Sequence, residues 1–128
     1  MDYLLDTVTL VRYLTNRGKI PRKVRKIFDE ADQNVCQLLI STVSLMEILY
    51  LAEKNRIPIT LEETVEKIQS STIYEVVTLT PDIILAARSV EFYELHDRLI
   101  LATAKYLDIP VISSDQEFKK VKNVKTIW

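Results

Sequence analysis

Five short apolar runs recur along the chain, and a helical pattern separates each from the next. This alternation constrains the fold more than any other feature of the sequence. The runs are "DYLLD" (2–6), "VCQLLI" (35–40), "YEVVTL" (74–79), "PVIS" (110–113) and "VKTIW" (124–128). Near-continuous apolarity rather than strict alternation predicts strands buried on both faces, as in parallel sheets. Helical patterns cover 8–15, 21–32 (opening with Pro21), 44–56, 60–71, 81–93 and 96–107, with a short turn near 114–120. Three of these starts carry a capping signature. Ser44 with Glu47 and Thr60 with Glu63 fit S/T-x-x-E, and Pro81 stands at the first helical position behind Thr80. Strands alternating with helices predict a three-layer α/β/α sandwich around a mainly parallel five-stranded sheet, with right-handed crossovers. At 128 residues, without repeats or linkers, the chain is expected to form a single domain spanning 1–128. Pattern alone leaves the strand order open.

Several function classes drop out on composition. Gly18 is the only glycine, so no Gly-rich phosphate loop or dinucleotide-binding fingerprint can be present. Cys36 is the only cysteine and sits in an apolar run, where a buried structural thiol is expected. His96 is the only histidine, which excludes a His-rich zinc site, and it reads as a helix-entry residue. No apolar run reaches the roughly 20 residues of a membrane span, and "MDYLLDTV" lacks the basic start of a secretory signal. A cytoplasmic protein is the expectation. The formal net charge is −1, but residues 12–26 hold seven Lys/Arg and no acid, and "KKVKNVK" adds four lysines. These are solvated surfaces or phosphate-contacting patches.

The acids are more informative. Ligands of open parallel sheets bind beyond the strand C-termini, near a switch in strand order. Asp6 ends the first run, Glu47 lies early in the helix after the second, Asp115 follows the fourth, and Asp97 begins the helix leading into the fourth. Each has a plain structural role open to it. Asp6 and Asp97 can cap their helices, Asp115 suits the positive end of a helix, and Glu47 completes a capping box with Ser44. Asp82, in "TPD", stays with that role. The four can meet in space only if strands one and four are neighbours. Two carboxylates about 4 Å apart repel by roughly 4 kcal/mol at an effective dielectric of about 20. A cluster of four therefore takes up protons or binds a divalent cation. All-oxygen donors favour Mg²⁺ or Mn²⁺.

These acids in their surroundings resemble the PIN-domain family of metal-dependent ribonucleases, and within it the small toxin nucleases of type II toxin–antitoxin pairs. The resemblance runs from "YLLDT" (3–7) through "STVSLMEI" (41–48) to "LHDRLILATAKYLDIPVISSD" (95–115), nearly the whole chain. It implies a sheet ordered 3-2-1-4-5, which makes strands one and four neighbours. By position, Asp6, Glu47, Asp97 and Asp115 match the family's acidic quartet, and Thr7 and Ser113 match its supporting hydroxyl residues. The chain departs from the pattern at Val8, where Asp-Thr-Asn is common in the family, so polar support beside the site is expected to be weaker.

The chemistry this implies is hydrolysis of an RNA phosphodiester with one or two Mg²⁺ ions (Mn²⁺ as substitute) on the quartet, and water as nucleophile. Arg12, Arg17 and Arg98 are the candidate RNA contacts. A cognate antitoxin and a homodimer follow from the resemblance as partners, the apolar surfaces of helices 44–56 and 60–71 being available for the second. Two rivals stand beside this reading. A phosphoacceptor receiver domain needs paired acids at the first strand, an Asp ending the third and a Lys ending the last. "YLLDT" and "VVTLT" do not supply the first two, and no Lys matches the third. A catalytically silent PIN-like binding module is the other, and Val8 is the feature that favours it.

Overall fold

The computed structural model describes all 128 residues. Its order is β1 (Tyr3–Leu5), α1 (Thr7–Thr15), α2 (Arg22–Asp32), β2 (Leu38–Ser41), α3 (Thr42–Glu53), α4 (Leu61–Gln69), β3 (Tyr74–Val77), α5 (Pro81–Ala86), α6 (Leu95–Leu107), β4 (Val111–Ile112) and β5 (Thr126–Ile127). Two 3₁₀ turns, Ala87–Ser89 and Gln116–Lys120, follow α5 and β4. All four strand pairings are parallel and the order is β3-β2-β1-β4-β5. β1 is central, with Leu4 and Leu5 opposite Leu39 and Ile40 on one side and Val111 and Ile112 on the other.

Alternation along the central strands divides the interior into two cores, one on each face of the sheet. Leu4, Leu39 and Val111 join Ile83, Val90, Ile100, Leu101 and Phe118 beneath α5 and α6. Leu5, Leu38, Ile40 and Ile112 join Leu10, Val24, Phe28, Ile48 and Ile68 beneath α1, α2 and α4. A strand buried on both faces must be apolar at every position, which is why these runs do not alternate. The edge strand β3 is the exception, with Glu75 and Val76 exposed.

Several expected helix boundaries differ, and three bear on the site or the core. α3 begins at Thr42 rather than Ser44. Ser41 is its N-cap, its hydroxyl accepting from the Val43 amide at 3.0 Å. β2 runs straight into the helix with no intervening loop, so the cap falls on the strand's last residue. Ser44 then lies inside the first turn, and the Ser44–Glu47 capping box does not form. The helix expected over 81–93 stops at Ala86. Val90 is extended and 1% exposed, inserted in the first core, and burying it breaks a helix that contains no Gly or Pro interior. The turn expected near 114–120 begins at Gln116, capped by Asp115. The Thr60–Glu63 capping box forms as expected, with both reciprocal bonds.

Candidate active site

Adjacency of β1 and β4 brings Asp6 and Asp115 to the same edge of the sheet, and α3 and α6 bring Glu47 and Asp97 toward it. Asp6 is the deepest, 4% exposed. It is the N-cap of α1: its Oδ1 accepts from the Thr9 amide at 2.9 Å. Ser113 and Thr9, whose hydroxyl donates to the Ile112 carbonyl at 3.1 Å, favour its charged form. Burial nonetheless dominates and pushes its pKa up, with the charge of Asp115 adding to the rise. Asp115 caps the following turn through Oδ1, which accepts from the Glu117 amide at 2.9 Å. Its own amide donates to the Ser113 hydroxyl at 3.1 Å. Ser113, fully buried, thus lies between the two segments that carry these acids.

Glu47 turns from the Ser44 amide toward the first residue of α1. The Thr7 hydroxyl donates to its Oε1 at 2.6 Å. Thr7 has one hydroxyl proton, so the 2.9 Å contact between Thr7 Oγ1 and Ser44 Oγ is made with the Ser44 proton. Ser44 thus orients Thr7, which orients Glu47. Burial raises the Glu47 pKa against the opposing bond from Thr7 and the nearby His96.

Asp97 sits in the first turn of α6 but does not cap it. Glu94 does, its Oε2 accepting from the Asp97 amide at 2.7 Å. The Asp97 pKa is pushed up to about 7, first by burial, then by Glu94, Glu47, Asp6 and Asp115 in that order. Three of the four expected acids thus bear on the fourth. None of them has a Lys or Arg partner, since the ion pairs of the molecule are His96–Glu94 and Lys120–Glu117.

The residues fit a hard divalent cation in donor type and charge. The donors are carboxylate oxygens, they repel one another, and no Lys or Arg compensates them. Asp6 and Asp115 give one oxygen each to a backbone cap and Glu47 gives one to Thr7, which leaves ligating capacity on all three. As placed, no three His, Cys, Asp or Glu side chains close on a single point. Ligation of one ion therefore requires rotation of side chains around the deeply held Asp6.

Glu94 is the residue that sequence reasoning missed. Burial works to raise its pKa, but the Asp97 amide and His96 outweigh it and leave it lowered. His96 Nδ1 lies 2.8 Å from Glu94 Oε1, which raises the imidazole pKa. Glu is an uncommon N-cap, so "ELHD" gave no capping signal; its spacing three residues before Asp97 was the available clue. Val8 is half exposed, and Thr7, Thr9, Ser44 and Ser113 provide the hydroxyls around the acids.

Of the three arginines, Arg98 stands beside Asp97, its Nε donating to the Ala87 carbonyl at 3.0 Å. Arg12 is six residues along α1 from Asp6, about 9 Å down the helix. It donates to the Lys19 carbonyl at 3.2 Å and lies over the Trp128 ring. Arg17 lies past the far end of α1, lining a surface depression with Glu63 and Lys67 of α4.

The model of the PIN domain family matches residues 3–124. No curated protein matches the sequence. Among solved structures, the chain is similar to one in VapBC2 from Rickettsia felis bound to a DNA fragment from their promoter. That match has a TM-score of 0.77 at 17% identity, covering 100% of this chain and 99% of the other. A chain of DNA-bound VapBC from Salmonella typhimurium matches with a TM-score of 0.71 at 20% identity over 99% and 97%. A chain of FitAcB from Neisseria gonorrhoeae matches with 0.65 at 17% over 98% and 96%.

Proposed function

Because the chain belongs to the PIN-domain family, we propose that it is a ribonuclease that hydrolyses RNA phosphodiester bonds with Mg²⁺, or Mn²⁺ in its place. The observation that carries this reading is the position of Asp97. It is half-buried, under the charges of Glu47, Asp6 and Asp115, and no Lys or Arg offsets them. Asp6, Glu47, Asp97 and Asp115 would hold the cation. Bound there, a divalent ion lowers the pKa of a water and offsets charge on the attacked phosphate. The chain's own contribution is placement. The Thr9 amide and Ser113 hold Asp6, Thr7 and Ser44 hold Glu47, and the Asp97 amide engages Glu94 as the cap of α6. No Ser, Cys or Lys nucleophile is required. Arg98 is the arginine best placed for a phosphate next to the acids, and Arg12 and Arg17 would reach only RNA that continues along α1.

The similar structures are of VapBC complexes and of a toxin–antitoxin complex from Klebsiella pneumoniae. With the family membership, they support a toxin role and a cognate antitoxin; the reading extends to a homodimer and a cytoplasmic site of action. No helix is long and apolar enough to cross a membrane. The test is cleavage of single-stranded RNA with and without Mn²⁺, comparing the parent with Asp6→Asn and Glu47→Gln. Cleavage that needs Mn²⁺ and falls at least a hundredfold (~10²) in both variants is expected from the loss of a charged ligand. Equal activity in all three refutes the site. An absence of Mn²⁺ affinity in the parent leaves the silent binding module as the better reading.

A further inference from the structure

The charges of α2 run against the helix's own field. Acids near the start of a helix and cations near its end stabilise it. α2 has the reverse order. Arg22, Lys23 and Arg25 stand at its start, Asp29, Glu30 and Asp32 near its end, and no side chain caps its first turn. Arg22 and Lys26 are four residues apart, a like-charged pair on one face. The acids do not relieve them, since neither ion pair of the molecule involves α2. With Arg17 and Lys19 from the preceding turn, six exposed cations stand together without a carboxylate partner. The chain carries a net charge of −1, so the remainder of the molecule is net acidic and this surface is set apart from it.

Arg12 fixes the shape of the turn before α2. Its carbonyl accepts from the Arg17 amide at 3.1 Å, and its guanidinium donates to the Lys19 carbonyl at 3.2 Å. Gly18, the only glycine, lies between them at φ 80°, and a Cβ there would come within 3.0 Å of the Arg12 side chain. Arg12 is thus occupied in holding the turn, and the other six cations are presented by it and by α2.

We propose that residues 17–26 form a second RNA-binding surface, an exosite that takes the phosphate backbone of the substrate away from the acids. The inference rests on the ribonuclease reading and narrows the substrate to RNA long enough to reach both places. α1 separates them by its nine residues, about 14 Å. At ~3.4 Å per nucleotide along a duplex strand, that is roughly four nucleotides. Cations at the positive end of a helix destabilise it, and a polyanion laid across them offsets that repulsion.

The chemistry of the surface suits nucleic acid over protein. The exposed side chains from 16 to 26 are the six cations and Asn16, while Ile20 and Pro21 are half-buried and Val24 is buried. A stable protein interface has an apolar centre depleted in lysine. Nucleic-acid interfaces are more polar and strongly positive. Three of the six cations are arginines, whose planar fork fits a phosphate with two bonds.

The experiment compares the full chain with its Arg22→Glu/Lys23→Glu double variant. The probes are a hairpin RNA longer than α1 and a fragment of its loop too short to span α1. Binding is measured by fluorescence anisotropy in Ca²⁺ across a range of salt, and cleavage is followed in Mn²⁺. The variant places acids at the start of α2, where the helix field favours them, so its melting temperature is expected to rise. A side chain kept for stability alone would give the opposite sign. Hairpin affinity is expected to fall about tenfold at ~0.1 M salt, and the slope of log K against log salt to become shallower by about 2, roughly 0.9 per lost phosphate contact. The loss should appear in KM rather than kcat, and the hairpin's advantage in kcat/KM over the fragment should shrink by the same factor. Unchanged hairpin affinity and slope overturn the proposal. So does an equal loss on hairpin and fragment, which places these cations at the acids. A loss confined to duplex DNA or to a protein partner assigns the surface to that ligand and also overturns it. Salt-dependent RNA binding that disappears in the variant, in a chain that cleaves no RNA, retains the exosite and removes the nuclease reading.

Discussion

A single hydroxyl decides where Glu47 points. The Ser44–Thr7–Glu47 chain of contacts crosses from α3 to α1 over 2.9 and 2.6 Å. Local sequence offered Glu47 a different partner, the amide of Ser44 in a capping box. That option vanished when Ser41 took the cap. Thr7→Val is therefore expected to lower Mn²⁺ affinity by about ten- to a hundredfold, as lost support of a ligating carboxylate does elsewhere. Thr7→Ser should keep it, and isothermal titration measures both. The valine also leaves the buried Ser44 hydroxyl without its partner, so stability should fall by about 1–3 kcal/mol in urea denaturation.

Elements supply the charge tolerance of the site. Asp6 and Asp115 cap helical turns and Asp97 lies in a helix's first turn, where unpaired amides favour a negative charge. Capping and metal ligation, which compete in a sequence reading, are compatible here because a cap takes one oxygen of two. α4 offers the contrasting case of a cap with no site attached. Its Thr60–Glu63 box is complete and exposed. Thr60→Ala should cost about 1 kcal/mol by thermal or chemical denaturation. It should leave RNA cleavage unchanged, because α4 carries none of the acids. A loss of activity beyond that of stability would place α4 nearer the substrate than this fold does.

At the scale of the whole molecule, the site lowers stability until it is neutralised. Asp97 has a pKa of about 7 in the folded chain and about 3.9 unfolded. Between those values the folded state holds more protons, so stability falls as pH rises. The contribution is fully unfavourable above about pH 7. Asp6 and Glu47, also raised, act in the same direction. So does His96, whose raised pKa gives stability below about pH 6.5 that is lost as pH climbs through its folded value. Glu94 is lowered, and its contribution is lost only as pH falls through its folded value. The metal-free protein is therefore expected to melt at a lower temperature at pH 8 than at pH 5.5. Mn²⁺ should raise Tm more at pH 8, where its ligands are deprotonated. Asp97→Asn should flatten the metal-free pH dependence, as scanning calorimetry across pH 5–8 would register. An equal Mn²⁺ shift at both pH values would argue against ligation by these carboxylates.

Much of this was legible in the residues themselves. Uninterrupted apolar runs such as "LLI" at 38–40 can only be strands covered on both faces, and helical patterns between them force parallel pairing, so layers and strand number followed from local physics. The order 3-2-1-4-5 came through the resemblance rather than the pattern, because crossover length does not say on which side of β1 a strand is laid. Three of the acids were legible as residues at or beyond strand ends, and Asp97 as a residue at a helix start. Their support was not. Which hydroxyl faces Glu47, that Glu94 and not Asp97 caps α6, and that Val90 ends α5 by entering the core all depend on contacts between segments distant in sequence. A side chain with two local partners of similar worth takes whichever the packed backbone brings within about 3 Å, and only the tertiary structure decides that.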